Sequence, residues 1–179
     1  MFRRLSDALG LGVLVSYASL ARLFPGGYVE NDLWLGQGRD IVRVMTSFQL
    51  LAAAGGVAWR WLHRQAPAAG GLLSYSFWGV GGSEALWLGF LVSSIGWPLS
   101  LWFVGSVRDI SLAQALLVCA PLWSAGVFSL LMMGGTAEAE NVTAAKFLSC
   151  WALTNVVAIF DATCWTAVLI TKTAHGRGE

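Results

Sequence analysis

Charge is what this sequence has least of. Only 12% of its 179 residues are Asp, Glu, Lys or Arg, about half the share a soluble domain spends. So few charges cannot cover a water-facing globule. With 56% hydrophobic residues and a mean hydropathy of +0.65, most of the surface is expected to face lipid or protein. The formal net charge of +1 leaves no electrostatic footprint for nucleic acid. Histidine is nearly missing. His63 follows an apolar stretch beside two arginines and His175 lies in the polar tail, so neither is placed to ligate a haem or metal within a bilayer. The three cysteines, Cys119, Cys150 and Cys164, fall in apolar stretches without Cys-x-x-Cys spacing. They read as small buried hydrophobes. No nucleophile–base pair, phosphate loop or metal spacing occurs, and nothing asks for a cofactor, which points away from an enzyme.

What the chain does have is long apolar runs. Spanning hydrocarbon takes about 20 apolar residues in a helix. Residues 8–24 reach that length if Arg22 snorkels to the headgroups. Arg3 and Arg4 ahead of this run, and Ser19-Leu20-Ala21 within it, also fit a secretory leader, but the run is read as a retained first helix. A Pro-Gly-Gly breaker opens a polar loop over 25–40, whose Tyr28 and Trp34 suit the membrane interface. A second helix is expected over 41–61, with Gly55-Gly56 allowing close helix contact.

The run from 72 to 107 is too long for one crossing and must bend, either at the glycines of 79–82 or at Gly96-Trp97-Pro98. After an Arg108-Asp109 turn, helices are expected over 111–133 and 145–171, followed by a polar tail. Asn141-Val142-Thr143 fits a glycosylation sequon. The fold expected is therefore all-α: one polytopic transmembrane helix bundle of about five spans, with four or six as the alternatives. Basic residues divide evenly between the two sides, so orientation and compartment stay open, whether plasma or inner membrane or an organelle membrane.

Polar groups inside such spans are costly and need a partner or a wet cavity. Gln49, Glu84, Asn155 and Asp161 are the candidates. Gln49 and Asn155 either bond between helices or line a solute path. Glu84 either favours the positive end of a helix or titrates. Asp161 is either a protonatable relay or a helix-end residue near the surface. The ten tryptophans fit interface belts and packing.

The segment 113–136 carries Gln114 at its start, Leu122-Trp123, Val127-Phe128-Ser129-Leu130, Met132 and Gly135-Thr136. This order resembles the fourth helix of the acetate/succinate permease family, small six-helix acetate transporters. Residues 147–161 are similar to that family's fifth helix, 49–61 to its second, and Ser74-Tyr75-Ser76-Phe77-Trp78 to a third-helix pattern with one residue missing. The family's N-terminal signature is reduced here to Ala8-Leu9-Gly10-Leu11-Gly12, and only about ten apolar residues follow Asp161, too few for a separate sixth helix. The resemblance implies a homo-oligomer, a hexamer, in which each protomer passes a small carboxylate with protons through a narrow path. It offers Tyr75 as a constriction residue, Gln114 at a helix start, Pro121 as a kink and Gly134-Gly135 as a helix end. The competing expectation is a non-catalytic membrane subunit of a larger assembly, such as a respiratory complex or ATP synthase. A tryptophan-rich porphyrin or sterol binder is a third.

Overall fold

The computed structural model describes residues 2–23, 39–77, 79–104 and 111–175. Most of the loop read over 25–40, with Tyr28 and Trp34, lies outside the described residues, as do the Arg108-Asp109 turn, the side chain of Arg22 and the last four residues. In chain order the elements are α1 (Phe2–Leu23), α2 (Arg39–Gln65), the short α3 (Gly71–Ser74), a hairpin of β1 (Ser76–Phe77) and β2 (Val80–Gly81), α4 (Gly82–Val104), α5 (Leu112–Glu138), and a last rod. That rod joins α6 (Ala144–Thr154), a π-helical segment (Asn155–Asp161) and α7 (Ala162–His175) without a break.

The fold is thus almost wholly helical, as its composition requires. The five apolar segments read from the sequence each coincide with one long rod among the described residues. Two of these rods, Leu112–Glu138 and Ala144–Ala167, are long and apolar enough to cross a membrane by composition. The last rod runs to His175, several residues beyond the expected end at 171.

The long run at 72–107 bends at its first candidate place. Gly79, at φ 79°, turns the hairpin that pairs Ser76 with Gly81 and Phe77 with Val80, and α4 starts directly behind it. Gly96-Trp97-Pro98 does not interrupt α4. Opposite it, a Cβ on Gly96 would lie 3.1 Å from Cβ of Pro121, so the missing side chain makes room for that ring. Pro121 itself sits inside α5, which continues past Gly134-Gly135 to Glu138. The glycine pair therefore does not end the helix. Gly135 instead receives Leu73 of α3.

Cross-helix contacts fix the direction of each rod. Gly89 meets Phe128 and Gly96 meets Pro121, so α4 and α5 are antiparallel. Gly55 packs on the backbone of Ser149 and Leu153, and Gln49 reaches Asp161, so α2 and the last rod are antiparallel. Arg64 pairs with Asp7, and Gly12 approaches Ile95, which runs α1 against α2 and alongside α4. One end of the bundle therefore gathers the starts of α1, α4 and α6 and the ends of α2 and α5.

Between the ends, the core is built from Trp59, Trp87, Phe90, Met132, Cys150 and Leu153. Trp59 is fully buried and its indole N–H donates to the Thr136 hydroxyl at 2.9 Å, so its polar edge is satisfied inside the apolar interior. Small residues set the spacing: Gly55 brings α2 onto the backbone of the last rod, and Gly126 brings α5 onto the backbone of Ala158.

At the polar end two loops are tied together. Asn141 donates from Nδ2 to the Pro67 carbonyl at 2.7 Å and accepts from the Ala69 N–H at 3.1 Å. Lys146, buried in the first turn of α6, donates from Nζ to the carbonyls of Ala66 and Asn141, placing a cation at the negative end of α2. The sequon asparagine is therefore a structural clamp with both halves of its amide engaged.

Candidate functional site

The inward face of α2 organises the polar interior. Residues 49, 52, 53, 56, 59, 60 and 63 follow the three- and four-residue steps of one helical stripe. All of them are wholly or partly buried, while Leu50, Leu51, Val57 and Trp61 point outward. Two polar groups stand on this stripe, eleven residues apart from Gln49 to Arg60, or about 16 Å along the axis. Ala52, Ala53, Gly56 and Trp59 lie between them, with the Trp87 ring against Gly56.

The deeper group is Gln49 with Asp161. The amide Nε2 donates to Asp161 Oδ1 at 2.7 Å across the α2–π segment contact. Asp161 is 4% exposed, far from any helix end, so of its two expected readings the surface position is excluded. Phe48 and Phe160 close one side of the pair with rings 4.9 Å apart. The π segment explains why Asp161 faces inward. Buried positions on the last rod step by four from Leu153 to Val157, Asp161 and Trp165. On an ideal helix each such step drifts by about 40°, and a wider turn absorbs the drift. The Ala162 N–H accordingly donates to the Val157 carbonyl, five residues back.

The second group sits at the polar end. Arg60 Nη2 donates to Glu84 Oε2 and, at 3.1 Å, to the Ser6 hydroxyl, joining α2, α4 and α1. Glu84 stands in the first turn of α4, where a carboxylate complements the positive helix end. One turn further along α2, His63 packs against Trp59 with ring centroids 4.2 Å apart and planes tilted by 35°. Its Nδ1 lies 3.1 Å from the Trp59 carbonyl. A carbonyl only accepts, so Nδ1 carries the hydrogen and, in the neutral ring, Nε2 presents a lone pair. His63 lies beyond the apolar segment 41–61. Burial holds its pKa down at about 4, opposed by the bond to Trp59 and assisted by the charges of Lys146 and Arg60. The ring is therefore neutral at pH 7.

The remaining candidates do not join these groups. Asn155 opens the π segment and donates to the Trp151 carbonyl of its own helix at 2.8 Å. Gln114 completes a capping box with Ser111, which accepts the Gln114 N–H while the Gln114 side chain accepts the Ser111 N–H. It is a helix start, as expected, and it is exposed. Tyr75 is 65% exposed in the connection before the hairpin, its carbonyl accepting from Gly82. Sequence reasoning missed Arg60 and His63 as site residues. Their spacing from Gln49 along one helical stripe was the available signal.

Among the described residues no cluster of His, Cys, Asp and Glu is arranged to hold a metal ion. Comparison with protein-family models, with curated proteins and with solved structures finds no match, so the likeness to the acetate/succinate permeases rests on the quoted residues alone.

Proposed function

We propose that this chain is an integral membrane protein of about five crossings that passes a small carboxylate, together with a proton, along the inner face of α2. The observation that carries the reading is the stripe itself: two buried polar pairs on one face of α2, with Ala52, Ala53 and Gly56 beside the first, Trp59 beside the second, and the Trp87 ring against Gly56. A carboxylate anion crossing lipid must be neutralised or surrounded by donors. Arg60 offers a cation near the aqueous end, and Gln49 an amide donor beside a protonatable Asp161 deeper in. Gly56 provides room that Trp87 fills, which makes that ring the constriction. Tyr75, the residue suggested by the permease likeness, is too far out on the surface for that role. Assembly into a homo-oligomer, a hexamer if the likeness is kinship, belongs to the same proposal.

The test is uptake of labelled acetate into liposomes holding the purified chain, with an inward proton gradient. Uptake above empty liposomes, lost in Asp161→Asn, supports the reading; uptake equal to empty liposomes ends it.

A second reading is a non-catalytic membrane subunit of a larger complex. It is favoured by Trp61, Trp123 and Trp151, which all stand outward on three different rods, a surface suited to other proteins as well as lipid. Gentle purification separates the two: a fixed ratio with other polypeptides supports the subunit, and a species of this chain alone supports transport.

A further inference from the structure

The hairpin between α3 and α4 lies outside the path along α2. In its register Ser76 pairs with Gly81 and Phe77 with Val80. Paired residues point to the same face of a two-stranded sheet, as do residues two apart on an extended strand. Tyr75 is extended, at φ −65° and ψ 154°. Tyr75, Phe77 and Val80 therefore share one face. Of the paired residues, only Ser76 carries a side chain on the other.

The apolar face is bare. Tyr75 is 65% exposed and Phe77 47%. Apart from chain neighbours, no described residue lies within 4 Å of a Cβ placed on Gly79 or Gly81, so the tip stands clear of the bundle. Its base is fixed, because a Cβ on Gly82 would meet the carbonyl oxygens of Leu72 and Tyr75, and the Gly82 N–H donates to the Tyr75 carbonyl. A two-stranded hairpin without a surface to pack on is marginal in water.

Two observations set the depth at which lipid would supply that surface. The hairpin leads directly into α4 at Gly82, at the end of the bundle where Arg60 pairs with Glu84 and Arg64 with Asp7. Charges of this kind belong at the membrane surface. The sheet also has only two strands, so each keeps an open edge, which hydrocarbon does not tolerate because no water serves it. The headgroup layer meets both demands. It is about 5–7 Å thick on each side of the hydrocarbon, and a two-residue strand reaches about 7 Å. Tyrosine, an apolar ring with a polar tip, is enriched at that level.

We propose that the hairpin is an interfacial anchor. Tyr75, Phe77 and Val80 rest on the lipid of one leaflet, Ser76 faces water, and the contact fixes the depth of the bundle's charged end. The proposal rests on the membrane reading above and not on carboxylate passage.

Nitroxide labels on single added cysteines test it, in the variants Tyr75→Cys, Ser76→Cys, Phe77→Cys and Val127→Cys of the full chain in nanodiscs of zwitterionic lipid. All four positions are exposed, so the labels displace no core side chain. Wild type carried through the same labelling is the blank for Cys119, Cys150 and Cys164. Power-saturation electron paramagnetic resonance compares collisions with oxygen, which concentrates in lipid, and with a water-soluble nickel chelate. Val127, outward on α5, reports the hydrocarbon. The expected oxygen-to-nickel collision ratio for Tyr75→Cys and Phe77→Cys is several-fold above that for Ser76→Cys and below that for Val127→Cys. Ratios equal to that of Ser76→Cys overturn the anchor, and so does protection from both reagents, which marks a protein on this face. If Val127→Cys also collides mainly with nickel, the membrane reading falls together with the anchor. If it stays rich in oxygen collisions while the hairpin labels match Ser76→Cys, the anchor alone falls.

Discussion

Replacing Gly55 by alanine tests whether α2 and the last rod touch at backbone distance. A Cβ there would lie 2.6 Å from the Ser149 carbonyl oxygen, 3.1 Å from the Leu153 nitrogen and 3.3 Å from Ala152 Cβ. Two of these are backbone atoms, which no rotamer change can move aside. Relieving the closest contact requires the helices to part by about 0.8 Å, and overpacking of this kind costs about 1–3 kcal/mol. Alanine returns up to about 1 kcal/mol through helix propensity, leaving a net loss of about 0–2 kcal/mol against wild type and about 1–3 kcal/mol against a variant that keeps the propensity gain alone. Gly134→Ala is the matched control, because nothing lies within 4 Å of its added Cβ. That variant keeps only the propensity gain. Thermal unfolding in mild detergent, followed by the fluorescence of the ten tryptophans, should place Gly55→Ala several degrees below Gly134→Ala, given about 2–4 °C per kcal/mol at this size. The parted helices would also stretch the 2.7 Å bond of Gln49 to Asp161. If Gly55→Ala melts at or above Gly134→Ala, the close packing of α2 on the last rod is refuted.

Two further outcomes follow from the polar groups. Gln49→Leu leaves Asp161 Oδ1 buried without the amide that serves it, which should destabilise the bundle by about 1–3 kcal/mol. The double variant with Asp161→Leu should recover most of that loss, and a strictly additive pair of losses in the same melting assay would disprove the coupling. His63 gives a pH dependence of definite sign. Its folded pKa of about 4 lies below the unfolded value of 6.5, so the unfolded chain takes up the proton first. Stability is therefore held above pH 6.5, falls as pH drops toward 4, and levels off below. At pH 5 the loss is about 2 kcal/mol relative to pH 7.5. His63→Gln removes this contribution, so wild type and variant should diverge between pH 7 and 5; parallel curves would show that His63 is not held neutral.

The rods were legible because an apolar run of helical length leaves the backbone few alternatives. Gln114 at a helix start was an implication of the permease likeness; the reason in the structure is local, a capping box with Ser111 three residues earlier. Bending of the run at 72–107 was legible, but the choice of place was not. Gly79 with φ 79° and Gly96 facing Pro121 look alike as letters, and only the neighbouring helix separates a turn from a socket. The π segment was hidden because its cause is the four-residue stepping of Leu153, Val157, Asp161 and Trp165, a pattern masked in a run where nearly every residue is apolar. Arg60 stands one residue before the end of the expected helix 41–61, and its charge alone names no partner. Its pairing with Glu84, twenty-four residues away, depends on the direction in which α4 returns.

The interior arrangement is costly, and the cost bears on function. Both polar groups on α2 could be replaced by leucines of similar bulk, and a buried ion pair commonly stabilises a fold no better than apolar side chains of matched shape. Holding the bundle together does not require them, because Trp59, Met132, Cys150 and the small residues of α2 already pack its middle. A scaffold with no task inside it would gain by losing Gln49, Arg60, Glu84 and Asp161 together. Each instead has a partner on another rod, and the two groups stand on one stripe of one helix, with Ala52, Ala53, Gly56 and Trp59 between them. A purely structural subunit predicts that the fourfold apolar variant assembles and works as wild type does. Passage along α2 predicts that the same variant folds at least as firmly and carries nothing. Melting and uptake measured on that single variant therefore separate the two readings: a stable bundle with uptake intact refutes the path along α2.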